Sequence, residues 1–363
     1  MTNKFTMLAA ACCLSTANGA YAVQIADIDG TKVSLGGYVK AEGVFNRPDG
    51  NAAAGSENSF LAGMRQSRLN LKIAKDVDGH KVSGFFEGDF YGNSKADAGT
   101  AIYWRMRHAA IQVDNVMVGQ FWNGQMLATA PLDPGMINFW GAGVGTIGGN
   151  GATVRPQLLM HYKTDGLRLS VQDPVYTDAG YPDLVASYLI KTESGVAVSL
   201  AATGRDTDTT PDVDDSESKF GAGFSVSGKV PVGKSSLHLS GYSGKGMGAY
   251  SGVGVGGAYR GADRIDAENG DLVSQTGFVA GVKHSFSDNL KGTVRYAKIT
   301  VDDEAETELV MNNVNLVYTY LKGLDIGMEW RRQTLGTVSQ ADSDWQRTRP
   351  KGQQLEFMAM FKF

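Results

Sequence analysis

Gln353-Gln354-Leu355-Glu356-Phe357-Met358-Ala359-Met360-Phe361-Lys362-Phe363 are the last eleven residues of the sequence. They sort cleanly at period two. Gln353, Leu355, Phe357, Ala359, Phe361 and Phe363 make one face; Gln354, Glu356, Met358, Met360 and Lys362 make the other. Side chains alternate across a strand, so this is a β-strand with one apolar face and one that carries charge. An ordinary half-buried edge strand would read the same way, and the opposite end of the chain separates the two.

There Lys4 supplies a positive start, residues 5–14 an apolar run, and Ala20-Tyr21-Ala22 a small-x-small cleavage site. Residues 1–22 read as a signal peptide, and the mature chain is predicted to begin at Val23. The apolar run is too short for a membrane-crossing helix, which needs about 20 residues. A lipoprotein signal acylated at Cys12 or Cys13 is the competing reading, but neither cysteine has a leucine three residues before it. Cleavage after Ala22 removes both cysteines, and with them any disulfide, thiolate metal site or cysteine nucleophile. In an exported chain, a final apolar strand ending in phenylalanine resembles the last strand of bacterial outer-membrane proteins. That resemblance implies that the barrel-assembly machinery reads Phe363.

Composition agrees with a strand protein. There are 47 glycines against 9 prolines, with 14 tyrosines, and no apolar stretch reaches the length of a helical span. A membrane role must therefore come from alternating strands. A formal net charge of −4 gives no reason to expect nucleic acid as a partner.

Between the ends one grammar repeats: about ten alternating residues, a tight turn, ten more, then a longer polar loop. Asp76-Val77-Asp78-Gly79, Thr164-Asp165-Gly166, Glu193-Ser194-Gly195, Pro231-Val232-Gly233, Ser287-Asp288-Asn289 and Lys322-Gly323 are the turns. Longer segments fall near 206–217, 249–271, 302–308 and 337–350. Short turns alternating with long loops predict an all-β fold: a transmembrane antiparallel β-barrel of about sixteen strands, its short turns periplasmic and its long loops external. Residues 23–363 show no linker, so a single barrel domain is expected in contact with outer-membrane lipid and lipopolysaccharide. A two-domain sandwich would need a linker and a propeller a period of roughly 40 residues.

Alternation also assigns faces. Leu69, Leu71 and Ile73 turn outward, which sends Arg68, Asn70 and Lys72 inward; Phe86 and Phe90 send Glu87 and Asp89 inward; Trp104 and Met106 send Arg105 and Arg107 inward. Arg155 with His161, Arg168 with Ser170, and Arg295 with Thr293 likewise oppose apolar residues. A charge facing lipid at mid-depth costs roughly 2–4 kcal/mol, so these side chains are expected to face a polar, water-filled interior rather than a packed core. Arg68, Arg105, Arg107, Arg155, Arg168 and Arg295 are the candidate anion-binding lining. Guanidinium groups stay charged and match a carboxylate with a planar fork. Two readings stay open: a ladder facing solute, or arginines that pair with Glu87 and Asp89 to hold the wall.

Residues 123–154 form the longest stretch without alternation, with Pro131-Leu132-Asp133-Pro134-Gly135 followed by Phe139-Trp140. Long loops in compact proteins are usually functional. This one is expected to fold inward and narrow the lumen, with Asp133, Phe139 and Trp140 at the constriction. Asp206 to Glu217 and Asp302 to Glu308 are acidic but lack calcium-loop spacing and read as solvated external loops. The glycines at 252–257 lack the lysine of a phosphate loop. No cofactor or metal is expected.

The order of several short motifs resembles the DcaP-like outer-membrane porins: Gly37-Tyr38-Val39-Lys40, Arg65-Gln66-Ser67-Arg68-Leu69, Phe86-Glu87-Gly88-Asp89-Phe90, Arg105-Met106-Arg107-His108-Ala109, Gly119-Gln120-Phe121-Trp122, Phe139-Trp140-Gly141 and Arg155-Pro156-Gln157. They span roughly residues 31–163, and the second half is similar only in rhythm. The resemblance implies a homotrimer of sixteen-stranded barrels that takes up small, often dicarboxylic, anions. A general diffusion porin for small hydrophilic solutes is the rival. An outer-membrane enzyme would need a nucleophile–base constellation, and neither G-x-S-x-G nor H-E-x-x-H occurs. A purely structural barrel would be expected to be narrower and shorter.

Overall fold

A computed structural model describes residues 22–49, 58–90, 103–129, 132–137, 155–174, 180–209, 217–251, 266–334, 337–338, 348–349 and 351–363. The signal-peptide reading of residues 1–22, with Cys12 and Cys13, falls outside them apart from Ala22, as do the glycines at 252–257.

The first strands are β1 (Val23–Ile28), β2 (Thr31–Pro48), β3 (Ser59–Gly63), β4 (Arg68–Val77), β5 (His80–Asp89), β6 (Arg105–Val113) and β7 (Val116–Gln120), followed by helix α1 (Gly124–Thr129). Next come β8 (Leu159–Lys163), β9 (Leu167–Gln172), β10 (Asp183–Lys191), β11 (Ala197–Asp208), β12 (Ser218–Val232), β13 (Ser235–Lys245) and helix α2 (Gly248–Ser251). A small ribbon, β14 (Ala267–Glu268) with β15 (Asp271–Leu272), precedes β16 (Ser274–Ser285), β17 (Leu290–Asp302), β18 (Glu308–Leu321) and β19 (Leu324–Gln333). A second ribbon, β20 (Thr337–Val338) with β21 (Thr348–Arg349), leads to the last strand, β22 (Gly352–Lys362). Among the described residues no helix is long and apolar enough to cross a membrane.

Every pairing is antiparallel between neighbours, and β22 returns to β2, so the sheet closes. Eighteen segments make sixteen staves. β22 and β1 lie end to end along one edge of β2, with Tyr38 opposite Lys362 and Leu35 opposite Val23. β3 and β4 lie end to end along its other edge. Between β3 and β4 the chain leaves the ladder in a turn, Ser67 N–H donating to the Met64 carbonyl at 3.0 Å. The Ser67 hydroxyl then accepts the Lys40 N–H at 3.0 Å, so a side chain substitutes for the missing strand. At the seam Gly37 exchanges both backbone hydrogen bonds with Phe363, at 3.0 and 3.2 Å. Gly37 has φ +152°, and a Cβ there would lie 2.2 Å from the Arg68 carbonyl oxygen, so only glycine fits.

The faces follow the alternation of the sequence. Leu69, Phe86, Met106, Phe357 and Phe361 are exposed on the outside, whereas Asn70, Glu87, Arg107 and Glu356 are buried on the inside. An apolar exterior wrapping a closed barrel far exceeds the patch a water-soluble monomer displays, and it is the surface that lipid demands. The turns behave as their residues require: Asp78 and Gly79 both have positive φ, 51° and 86°, as a two-residue hairpin needs.

One expectation about the interior changes. The inner face is polar over much of the barrel, but toward the loop ends of β16, β17 and β18 it becomes apolar. Val279, Ala297, Ile299, Val301, Leu309 and Met311 pack with Met247, Tyr250 and Val273 from the β13–β16 connection and with Met136. A small packed core therefore sits inside the barrel. The acidic reading of Asp206–Glu217 also shifts: Asp206 and Asp208 lie on β11 and are buried, and Asp206 accepts the Gly180 N–H at 3.1 Å.

Candidate functional site: the inner wall of the barrel

Strands β4, β5 and β6 bring three of the sequence-predicted residues onto one rung. Arg68 is paired with Asp89 across β4 and β5, and Asp89 with Arg105 across β5 and β6. The β5–β6 register shifts between Glu87 and Gly88, an extra residue on β6 that turns both Arg107 and His108 inward. Arg105 forks onto Asp89, Nε to Oδ1 at 2.9 Å and Nη2 to Oδ2 at 2.6 Å. Arg107 donates to Glu87 at 2.9 Å and to Asp89 at 2.7 Å. Arg68 lies 3.6 Å from Glu87. Arg155 and Arg107 both stand over the Trp122 ring, at 5.0 and 5.2 Å from its centroid. Among the described residues four guanidinium groups thus gather around two carboxylates. Arg105 is more open than Arg68 or Arg107, with 31% of its side chain exposed against 11% and 5%.

Arg168 and Arg295 do not join this cluster; each holds the segment after Trp122. That segment begins with a helix rather than the irregular chain expected. Asn123 caps α1, its Oδ1 accepting the Met126 N–H at 2.8 Å. Gln172 Oε1 accepts the Gly124 N–H at 2.8 Å, and Arg168 donates to the Leu127 carbonyl at 2.6 Å. Gln125 donates to Ser225 at 2.8 Å and accepts from Thr203 at 3.0 Å. Every one of these partners lies on an inward face, so α1 sits inside the barrel against β9 to β12.

The chain continues along the interior. Leu132 packs on Leu189 and Ala197, and its carbonyl lies 2.5 Å from His238 Nδ1 on β13. Asp133 pairs with Arg295 on β17 at 3.2 Å, and Pro134 rests against Gly281 on β16. Ile137 is gripped from both sides: its N–H donates to Glu329 at 2.9 Å, and its carbonyl accepts from Lys40 at 2.8 Å. Residues 124–129 and 132–137 therefore reach inward groups from β9 round to β19 and β2, about two thirds of the ring. Phe139 and Trp140 lie outside the described residues.

Sequence reading did not single out two further polar clusters. Lys40 bonds Gln66 at 2.7 Å and pairs with Glu42 and Glu356 at 3.3 and 3.2 Å. Arg205 lies 3.3 Å from Asp266 and 3.8 Å from Asp183, while Asp183 accepts the Tyr250 hydroxyl at 2.5 Å. Arg205 shares the parity of Ala201 and Thr203, so alternation does place it inside; its partner Asp266 comes from a distant loop that no local pattern announces. No group of metal-ligating side chains occurs among the described residues.

A closed, lipid-faced barrel with an ordered segment along its interior invites comparison with known channels. No protein family and no curated protein matches the sequence. Among solved structures, the outer-membrane channel DcaP of Acinetobacter baumannii superimposes with a TM-score of 0.71 at 20% identity, over 92% of this chain and 98% of that one. The chain has the porin fold. The anion-selective porin from Comamonas acidovorans gives a TM-score of 0.62 at 13% identity, over 92% and 100% of the two chains. OmpT of Vibrio cholerae gives 0.61 at 12%, over 94% and 100%. With identities this low the porin fold is what is shared, and the chemistry of the lumen rests on this chain's own residues.

Proposed function

We propose that this chain is a bacterial outer-membrane porin, a non-enzymatic channel for passive diffusion of small hydrophilic solutes that favours small anions such as dicarboxylates. The observation that carries the reading is the inward cluster of four guanidinium groups, Arg68, Arg105, Arg107 and Arg155, gathered around Glu87, Asp89 and Trp122. A dianion passing this wall exchanges water for guanidinium forks already held in place by Glu87, Asp89 and Trp122, so little side-chain order is lost on contact. Residues 124–129 and 132–137, fastened to about two thirds of the ring, supply the constriction. A bare sixteen-stranded barrel leaves a wide aqueous channel, and solute choice needs something to narrow it.

The reading includes export through a signal peptide cleaved before Val23, recognition of Phe363 by the barrel-assembly machinery, contact with outer-membrane lipid and lipopolysaccharide, and a homotrimeric state. A trimer form is described for Vibrio cholerae OmpT. The second reading is a general diffusion porin without marked anion preference. It is favoured by the ion pairs that Glu87 and Asp89 make with the arginines, since paired charges act weakly at a distance. Single-channel conductance with reversal potentials in a salt gradient separates the two: anion selectivity supports the first reading, and a neutral or cation-selective channel replaces it with the second.

A further inference from the structure

A second set of cations lies on the other side of the ring, away from the arginine cluster. Gly281 on β16 is opposite both His238 on β13 and Arg295 on β17, and this rung carries the anchors of Leu132, Asp133 and Pro134. Lys229 on β12 is the partner of His238 on the same rung. Lys283 follows Gly281 by two residues toward the short turn, opposite Thr293, and Lys291 follows Thr293 by two more. Lys283 and Lys291 are thus diagonal neighbours, roughly 7–8 Å apart. Opposite residues share a face, and that face is inward, because His238 and Arg295 reach into the lumen from it.

Lys283 and Lys291 are exposed and Lys229 is half-buried. Asp133 is committed to Arg295. Among the described residues no carboxylate pairs with any of the three lysines. Their charge is presented to water just on the short-turn side of the inward segment. The arginine cluster lies toward the long-loop side, since Asp89 ends β5 and Arg105 begins β6.

We propose that Lys229, Lys283 and Lys291 form a second anion station, on the short-turn side of the constriction, for small organic dianions leaving the pore. The proposal rests on the anion-porin reading. Ammonium groups on flexible stems hold carboxylates as point charges without a fixed fork, so the station retains a dicarboxylate loosely, one carboxylate to each end of the lysine group. Anions pass from a geometric arginine site to an adaptable lysine site across the segment 132–137.

The test uses the full chain in planar bilayers at 0.1 M KCl, with succinate as the blocker added to one side at a time. The variants are Lys229→Gln/Lys283→Gln/Lys291→Gln and, as a control for charge lost outside the station, Lys234→Gln on the turn. Heat-modifiable mobility certifies that each barrel is closed. Succinate block from the turn side is expected to weaken about tenfold in the triple variant, with block from the loop side nearly unchanged and Lys234→Gln like the parent. Unchanged turn-side block in the triple variant overturns the station while leaving the anion reading intact. Equal weakening from both sides marks a general field and overturns it too. A parent channel that shows no anion selectivity and no succinate block from either side removes the anion reading itself, and the station with it.

Discussion

Arg295 donates through both Nε and Nη2 to one oxygen of Asp133, at 3.3 and 3.2 Å, across 162 residues of sequence. Arg295 is fully buried on the inner wall and Asp133 nearly so. This pair ties the inward segment to β17, midway between the α1 anchors and the grip on Ile137.

Asp133 is a charged partner of buried Arg295, and breaking a buried ion pair from one side costs about 3–5 kcal/mol. Asp133→Asn is expected to loosen the segment without opening the barrel. Conductance should rise and become noisier, while heat-modifiable mobility in detergent gels is retained. A quiet channel of unchanged conductance shows that the remaining anchors hold the segment without Asp133.

Replacing residues 132–150 with a short Gly-Ser linker should raise conductance severalfold and flatten discrimination among anions. The strands still close, because residues 132–137 contribute no rung to the sheet. Normal assembly with unchanged conductance places the constriction on wall side chains alone.

Arg105→Ala with Arg107→Ala should lower anion selectivity and weaken block by small dicarboxylates. The single variants should differ. Arg105 is the more open and acts mainly on selectivity; Arg107 is buried between Glu87, Asp89 and Trp122, and its loss also leaves Glu87 and Asp89 short of a partner. The selectivity effect should shrink at high salt, as the screening length falls from about 10 Å at 0.1 M to about 3 Å at 1 M. Selectivity that survives the double substitution at 0.1 M removes the cluster from the mechanism.

Gly37→Val attacks the seam. A branched side chain at φ +152° cannot avoid the Arg68 carbonyl, and the same residue carries both hydrogen bonds to Phe363. The folded, heat-modifiable fraction recovered in membranes should drop sharply. Full recovery shows that β22 closes the ring without its last rung.

The faces of the strands were legible in the sequence because they depend only on local alternation. Once Leu69, Phe86 and Met106 are assigned to lipid, Arg68, Glu87 and Arg107 have nowhere to go but inside. The turns were legible for the same reason: Asp78-Gly79 bends the chain by its own backbone preference. The porin-like closure followed from the last eleven residues and the repeating rhythm.

Partners were not legible. Whether Arg105 meets solute or Asp89 depends on the register of β5 against β6 and on the extra residue beside Glu87, which alternation on either strand alone does not reveal. Arg168 and Arg295 read as equals of Arg105, yet each is bound to the inward segment, because that segment's path around the ring is set by packing of Leu132, Pro134 and Met136 rather than by any periodic signal. The apolar patch within the lumen was invisible for a related reason. Ile299 and Leu309 have the parity of lining residues, and only the fold brings Met247, Tyr250 and Met136 across to cover them. Alternation along one strand determines which face a residue takes; register and the path of the long connections decide what it finds there.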